Sequence, residues 1–239
     1  MRQIPEFSQF LDSYTAARNN HQKVAINIDI GAIRQFLSRA TAGQITAGAL
    51  QEDAAQFFEY FFQGPHATHQ LEQQLNGNAS IPPIIRNEPM IQIDLGTAPC
   101  PNFQQLFNDY FDYRSNIGQR IQLFFPRRPD QLLIQAKRFY QQISANGSFQ
   151  SGKIVNPINV SERLTLPSRF VRTGEDSEYV CDGFLIHHGA NLDGGHYTSY
   201  IKVGTTNTWW YCSDTTVYEV SSQEALAAMK DGLIFHYSR

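Results

Sequence analysis

The sequence predicts an α+β fold, and three features of its 239 residues carry that reading. In the first third, apolar residues recur at helical spacing. From Met90 the spacing shortens to the alternation of a strand. From Tyr179 onward, aromatic and β-branched runs follow one another between turn formers. Helices first and an antiparallel sheet later is the order of an α+β domain, not of an alternating α/β one.

Each element can be justified in turn. Phe7, Phe10, Leu11 and Tyr14 mark a first helix, and Ile26, Ile30, Ile33 and Leu37 a second. A third spans residues 50–62, with Ala54, Phe57, Phe58 and Phe61 on one face. Residues 76–83, rich in Asn, Gly and Pro, read as a loop or the tip of a hairpin. Residues 90–95, Met-Ile-Gln-Ile-Asp-Leu, alternate as a half-buried strand does. Helical spacing returns over 103–113, and Leu132-Leu133-Ile134-Gln135-Ala136 reads as a buried strand. Residues 144–148 form a turn between strands. Strands follow at 179–187, 196–203, 209–212 and 233–237, with a short helix near 223–229. Without an internal repeat or a linker, residues 1–239 read as one domain, mostly helical over 1–90 and mostly β over 91–239.

Composition narrows the function. Hydrophobic residues make up 41% and charged residues 17%, which supports a packed core and argues against disorder. The net charge is −3, and Arg127-Arg128 and Lys137-Arg138 are isolated basic pairs, so no nucleic-acid partner is expected. Cys100, Cys181 and Cys212 are an odd set without framework spacing, which points to a reducing, intracellular setting. With no CxxC pair, no metal is expected. No apolar run reaches the roughly 20 residues of a membrane span.

The chemistry concentrates around His196. Gly194 and Gly195 let the backbone turn sharply and leave room for another chain. Tyr197, Tyr200 and Ile201 anchor the strand beyond. Histidine is the side chain best suited to general-base work near neutral pH. Such a base needs an acceptor to fix its tautomer, and Ser213-Asp214, after Trp209-Trp210-Tyr211, offers one on the next strand. Taken singly, these features more commonly mean a turn histidine and a polar hairpin end.

Taken together they resemble the ubiquitin-specific proteases, papain-like cysteine peptidases that remove ubiquitin. The resemblance rests on Leu185-Ile186-His187-His188-Gly189, where the family has a strand ending in His-Ser-Gly, then Gly194-Gly195-His196-Tyr197, Trp209, Ser213-Asp214-Thr215-Thr216-Val217 and the final Leu233-Ile234-Phe235-His236-Tyr237. Upstream, Gln51-Glu52-Asp53-Ala54-Ala55-Gln56-Phe57-Phe58 is similar to the family's Gln-Gln-Asp-Ala-x-Glu-Phe helix. Leu133-Ile134-Gln135-Ala136-Lys137-Arg138-Phe139 is similar to its Leu-Lys-Arg-Phe strand, and Lys153 and Asn156-Pro157-Ile158 fit the segment after it. The resemblance implies that His196 is the general base. Counting from Trp209 or Val217 puts Ser213 at the third position of the triad; counting from Trp210 puts Asp214 there. The loop 189–193, Asp193 included, would gate the scissile bond. Gln51, Asp53, Gly194, Gly195 and Tyr197 would line a tunnel for a tail ending in two glycines.

The resemblance also has gaps. The family's opening box, Asn-x-Gly-Asn-Thr-Cys, sets a thiol at a helix N-terminus, which favours thiolate. The sequence carries no such box, and its first residues resemble the family's segment just beyond that helix. Cys100, between two prolines, and Cys181 and Cys212, within strands, match poorly as nucleophiles. The zinc-bearing fingers of the family, with two CxxC pairs, have no counterpart in the sequence. The implied protein is a thiol-dependent deubiquitinase, inactive without a matching cysteine, or a non-catalytic ubiquitin-binding scaffold of the same fold. It is expected to be a cytosolic monomer without cofactors, with ubiquitin or a ubiquitin-like protein and ubiquitinated proteins as partners.

Overall fold

A computed structural model describes residues 38, 53–61, 69–75, 82–143, 147–191, 194–203 and 208–239. The chain divides into units Met1–Asp53 and Ala54–Arg239, and the second holds the sheets. The two helices expected before residue 38 and the tip at 76–81 lie outside the described residues.

In chain order the second unit contains α1 (Ala54–Phe61), β1 (His69–Leu75), β2 (Ile84–Glu88), β3 (Ile91–Asp94), α2 (Phe103–Phe111), β4 (Asp112–Arg114), β5 (Arg120–Phe124), β6 (Gln131–Lys137), β7 (Phe139–Ile143) and β8 (Phe149–Lys153). It continues with β9 (Arg163–Leu166), β10 (Ser177–Asn191), β11 (Gly194–Val203), β12 (Thr208–Ser213), β13 (Thr216–Val220), α3 (Ser222–Ala228) and β14 (Ile234–Ser238). The main sheet runs β13-β12-β11-β10-β14-β6-β3, with β9 paired to β10. Only β3 and β6 pair in parallel among its ladders. A second sheet, β2-β1-β5-β4, and the hairpin β7-β8 complete the described architecture.

Sequence explains much of this locally. Asn102 caps α2, its side chain accepting from the Gln105 amide at 2.9 Å. Phe103, Phe107 and Phe111, four residues apart, then form one fully buried stripe. Ser221 caps α3 by accepting from the Glu224 amide at 3.1 Å, with the glutamate of a capping box in place three residues on. β6 is apolar on both faces: Leu132, Ile134 and Ala136 enter the large core, and Leu133 enters a smaller cluster with Ala55, Met90, Leu233 and Ile234. Each such Leu or Ile contributes about 1.5–3 kcal/mol by leaving water.

The large core gathers α2, the central strands and α3. Phe103 meets Phe235 at 4.9 Å, and Phe184 stacks on Tyr200 at 4.8 Å beside the fully buried Trp209. Arg138 is also buried; its guanidinium donates to the carbonyls of Gly232, Ile154, Asn156 and Lys230 at 2.7–3.0 Å. One side chain thereby ties the end of β6 to the segments 154–156 and 230–232.

Two expectations change. His69–Leu75 and Ile84–Glu88, inside the stretch read as mostly helical, are strands. Leu71 and Leu75 lie at helical spacing among glutamines, but pairing with β2 and β5, with Leu71 fully buried in the large core, decides the conformation. In α1, among the described side chains, Ala55 is the buried one, outside the expected stripe, with Ala54 and Phe58 of that stripe packed beside it.

Candidate active site

The site is built on the hairpin of β10 and β11 and on the end of β12. His188 pairs with His196 across the first ladder, and the register shifts between His188 and Asn191. That bulge explains the glycines, in different ways. Gly195 adopts φ +149°, and a Cβ there would collide with the His188 carbonyl and stand 2.6 Å from His187 Nε2. Gly189 is equally closed, 2.6 Å from the Gly194 carbonyl. At Gly194 a Cβ would meet nothing within 4 Å. Gly189 and Gly195 therefore make the turn, while Gly194 leaves open space.

His196 is half-buried at the start of β11, and its Nε2 lies 2.7 Å from Ser213 Oγ. Ser213 is the last residue of β12. The chain then turns through Asp214 and Thr215 into β13, with Asp214 at φ +49°, a left-handed conformation that Asp tolerates. Asp214 Oδ2 lies 4.0 Å from His196 Nδ1, and its side chain is 82% exposed. The structure thus brings Ser213 into hydrogen-bond contact with the histidine and leaves Asp214 as a solvated charge beside its other nitrogen. With Nε2–H donated to Ser213, Nδ1 carries the free lone pair.

Below the bulge lies a second polar layer. His187 is buried between Phe139 and Tyr197, with ring centroids 5.2 and 4.8 Å away. Lys153 Nζ donates to the carbonyls of His187 and Gly189 at 2.5 and 3.0 Å and approaches His187 Nδ1 at 3.4 Å. Burial, with the ammonium beside it, pushes His187 down to about 4. The Tyr197 hydroxyl accepts from the Ala54 amide at 3.3 Å, joining β11 to the first turn of α1. Asp53 directly precedes that helix and is half-buried. Gln51 and Asp193 lie outside the described residues.

The three cysteines differ in exposure. Cys181 is buried, and burial pushes its thiol up to about 12. Cys212 is half-buried, with its thiol also raised by burial. Strand alternation sends it to the face opposite Ser213. Cys100 is exposed in the turn before α2. Among the described residues no three His, Cys, Asp or Glu side chains converge as a metal site. The sequence reading missed His188, whose one signal was a histidine where the resembling pattern has serine, and the clamp formed by Lys153.

An imidazole presented after a glycine bulge from an antiparallel sheet, on this α+β scaffold, is the arrangement of a papain-like peptidase fold of the ubiquitin-specific type. The family model described as ubiquitin carboxyl-terminal hydrolase matches residues 6–237, and the chain belongs to that family. Ubiquitin carboxyl-terminal hydrolase 3 of Saccharomyces cerevisiae is 26% identical over 164 residues, 57% of this chain. Ubiquitin carboxyl-terminal hydrolase 25 of Arabidopsis thaliana is 30% identical over 125 residues, 52% of this chain. The matches span 18% and 17% of those two relatives. Among solved structures, Ubp8 of the SAGA DUB module bound to monoubiquitin superimposes with a TM-score of 0.66 at 20% identity, covering 87% of this chain and 53% of that one.

Proposed function

We propose that this domain is the base-bearing part of a thiol-dependent deubiquitinase that cleaves the isopeptide bond after the C-terminal glycine of ubiquitin. The observation that carries the reading is the 2.7 Å contact between His196 Nε2 and Ser213 Oγ. Ser213 accepts the Nε2 proton and orients the ring, and Nδ1 removes the proton of a cysteine thiol other than Cys100, Cys181 and Cys212. The thiolate attacks the glycine carbonyl, and the imidazolium returns the proton to the departing lysine amine. Water, deprotonated by His196, then hydrolyses the thioester and regenerates the thiol. The open space over Gly194 suits the close passage of a diglycine tail along β11, beside Tyr197. The reading needs no cofactor and takes the domain as a cytosolic monomer. Ubp8 is recorded bound to monoubiquitin, which agrees with ubiquitin as the partner.

The placement of the three cysteines favours a second reading, a non-catalytic ubiquitin-binding domain. A ubiquitin probe with a thiol-reactive C-terminus separates the two. It is applied to this chain and to the product of the gene extended upstream. Labelling of the extended form alone is the expected result. Ubiquitin binding without labelling of either form supports the second reading, and labelling at Cys100 overturns the placement of the nucleophile.

A further inference from the structure

A second imidazole stands beside the first. His188 is the direct cross-strand partner of His196, so the two project from the same face of the sheet. Their ring centroids are 6.4 Å apart and their planes 28° from parallel. His188 Nε2 lies 2.8 Å from the hydroxyl of Thr198, itself buried. Each ring is therefore tied through Nε2 to a hydroxyl: His196 to Ser213 on β12, His188 to Thr198 on β11. His188 cannot swing away without giving up its hydrogen bond. The pattern that the sequence resembles carries serine here, so the second ring is a feature of this chain.

We propose that His188 is a positioning residue for His196, standing beside the base on the same face of the sheet and held there through Thr198. The proposal takes its functional meaning from the assignment of His196 as the base. The groups that act on His188 are His196 on β11, Lys153 on β8 and Asp231 in the turn after α3. Burial, then His196 and Lys153, hold it below its ordinary value, and only Asp231 opposes them. Asp214 acts from the far side of the pair, 4.0 Å from His196 Nδ1. Held below its ordinary value, His188 limits rotation of the His196 ring rather than competing with it for the thiol proton.

Nitrogen NMR of the histidine rings in this chain tests the coupling without reference to activity. His188 is expected to titrate below an ordinary imidazole and to move up when His196→Gln removes the neighbouring charge. An unchanged His188 midpoint in that variant overturns the coupling. The positioning role is read from the His196 Nε2 proton, sheltered by Ser213. It is expected to be observable in the parent chain, lost to exchange in His188→Ser, and recovered in His188→Phe, which restores a flat ring without a titrating group. Equal protection in the parent and His188→Ser overturns the role. Failure of the deubiquitinase reading would show separately, as absence of probe labelling with the ring titrations intact.

Discussion

A hydroxyl that accepts the Nε2 proton of an imidazole fixes its tautomer but adds no charge to stabilise the imidazolium. On the proposed reading Ser213, 2.7 Å from His196 Nε2, would supply that orientation, and Asp214, exposed and 4.0 Å from Nδ1, would add only a screened attraction. In a probe-reactive form of the protein, Ser213→Ala is expected to lower kcat/KM for a fluorogenic ubiquitin C-terminal amide by about 2–13-fold, the worth of one net hydrogen bond. Asp214→Asn should stay within about threefold. The reverse order would give the orienting role to Asp214. The sequence left Ser213 and Asp214 both open because counting from Trp209 or from Trp210 differs by one residue. The register of β11 against β12, with Ser199 opposite Cys212, brings the end of β12 to His196 and puts Ser213 in contact.

The hairpin of β10 and β11 assigns its glycines separate tasks. Gly195→Ala would force a side chain into φ +149° and onto the His188 carbonyl and His187 ring. Thermal or urea unfolding is expected to show a loss of about 2 kcal/mol or more. Gly194→Ala faces open space, so stability should change by less than about 0.5 kcal/mol while ubiquitin binding weakens. Equal stability of the two variants would contradict this division. The motif Gly-Gly-His-Tyr was legible in the sequence; which glycine turns the chain was not, because that depends on the bulge between His188 and Asn191. The strands observed at 91–94, 131–137, 177–191, 194–203 and 208–213 overlap those read from alternation and aromatic runs at 90–95, 132–136, 179–187, 196–203 and 209–212. β1 was hidden because its glutamines and Leu71–Leu75 spacing favour a helix locally, and only the ladders to β2 and β5 override that preference. His188 was hidden for a similar reason: adjacency in sequence to His187 says nothing of which ring lies beside His196.

Across the whole molecule, buried neutral histidines couple folding to pH. His69, buried while its Nε2 accepts from the Leu133 amide at 3.0 Å, is pushed by burial down to about 4, as is His187. Unfolding returns both to the ordinary value near 6.5, so between pH 6.5 and about 4 the unfolded chain binds more protons than the folded one. Stability is therefore full above pH 6.5 and falls on acidification, with His69 contributing a slope approaching about 1.4 kcal/mol per pH unit. Urea titrations at pH 7 and pH 5 check this, and equal midpoints would contradict it. The same architecture that keeps these histidines neutral leaves His196 half-buried at the end of the hairpin, where a base can act. The most direct test of that role is the rate at which a thiol-reactive ubiquitin probe labels the protein carrying this domain, compared between the parent and His196→Gln. If His196 is the base, the parent is labelled and the variant loses about 100-fold or more in rate. Equal labelling rates would contradict that role.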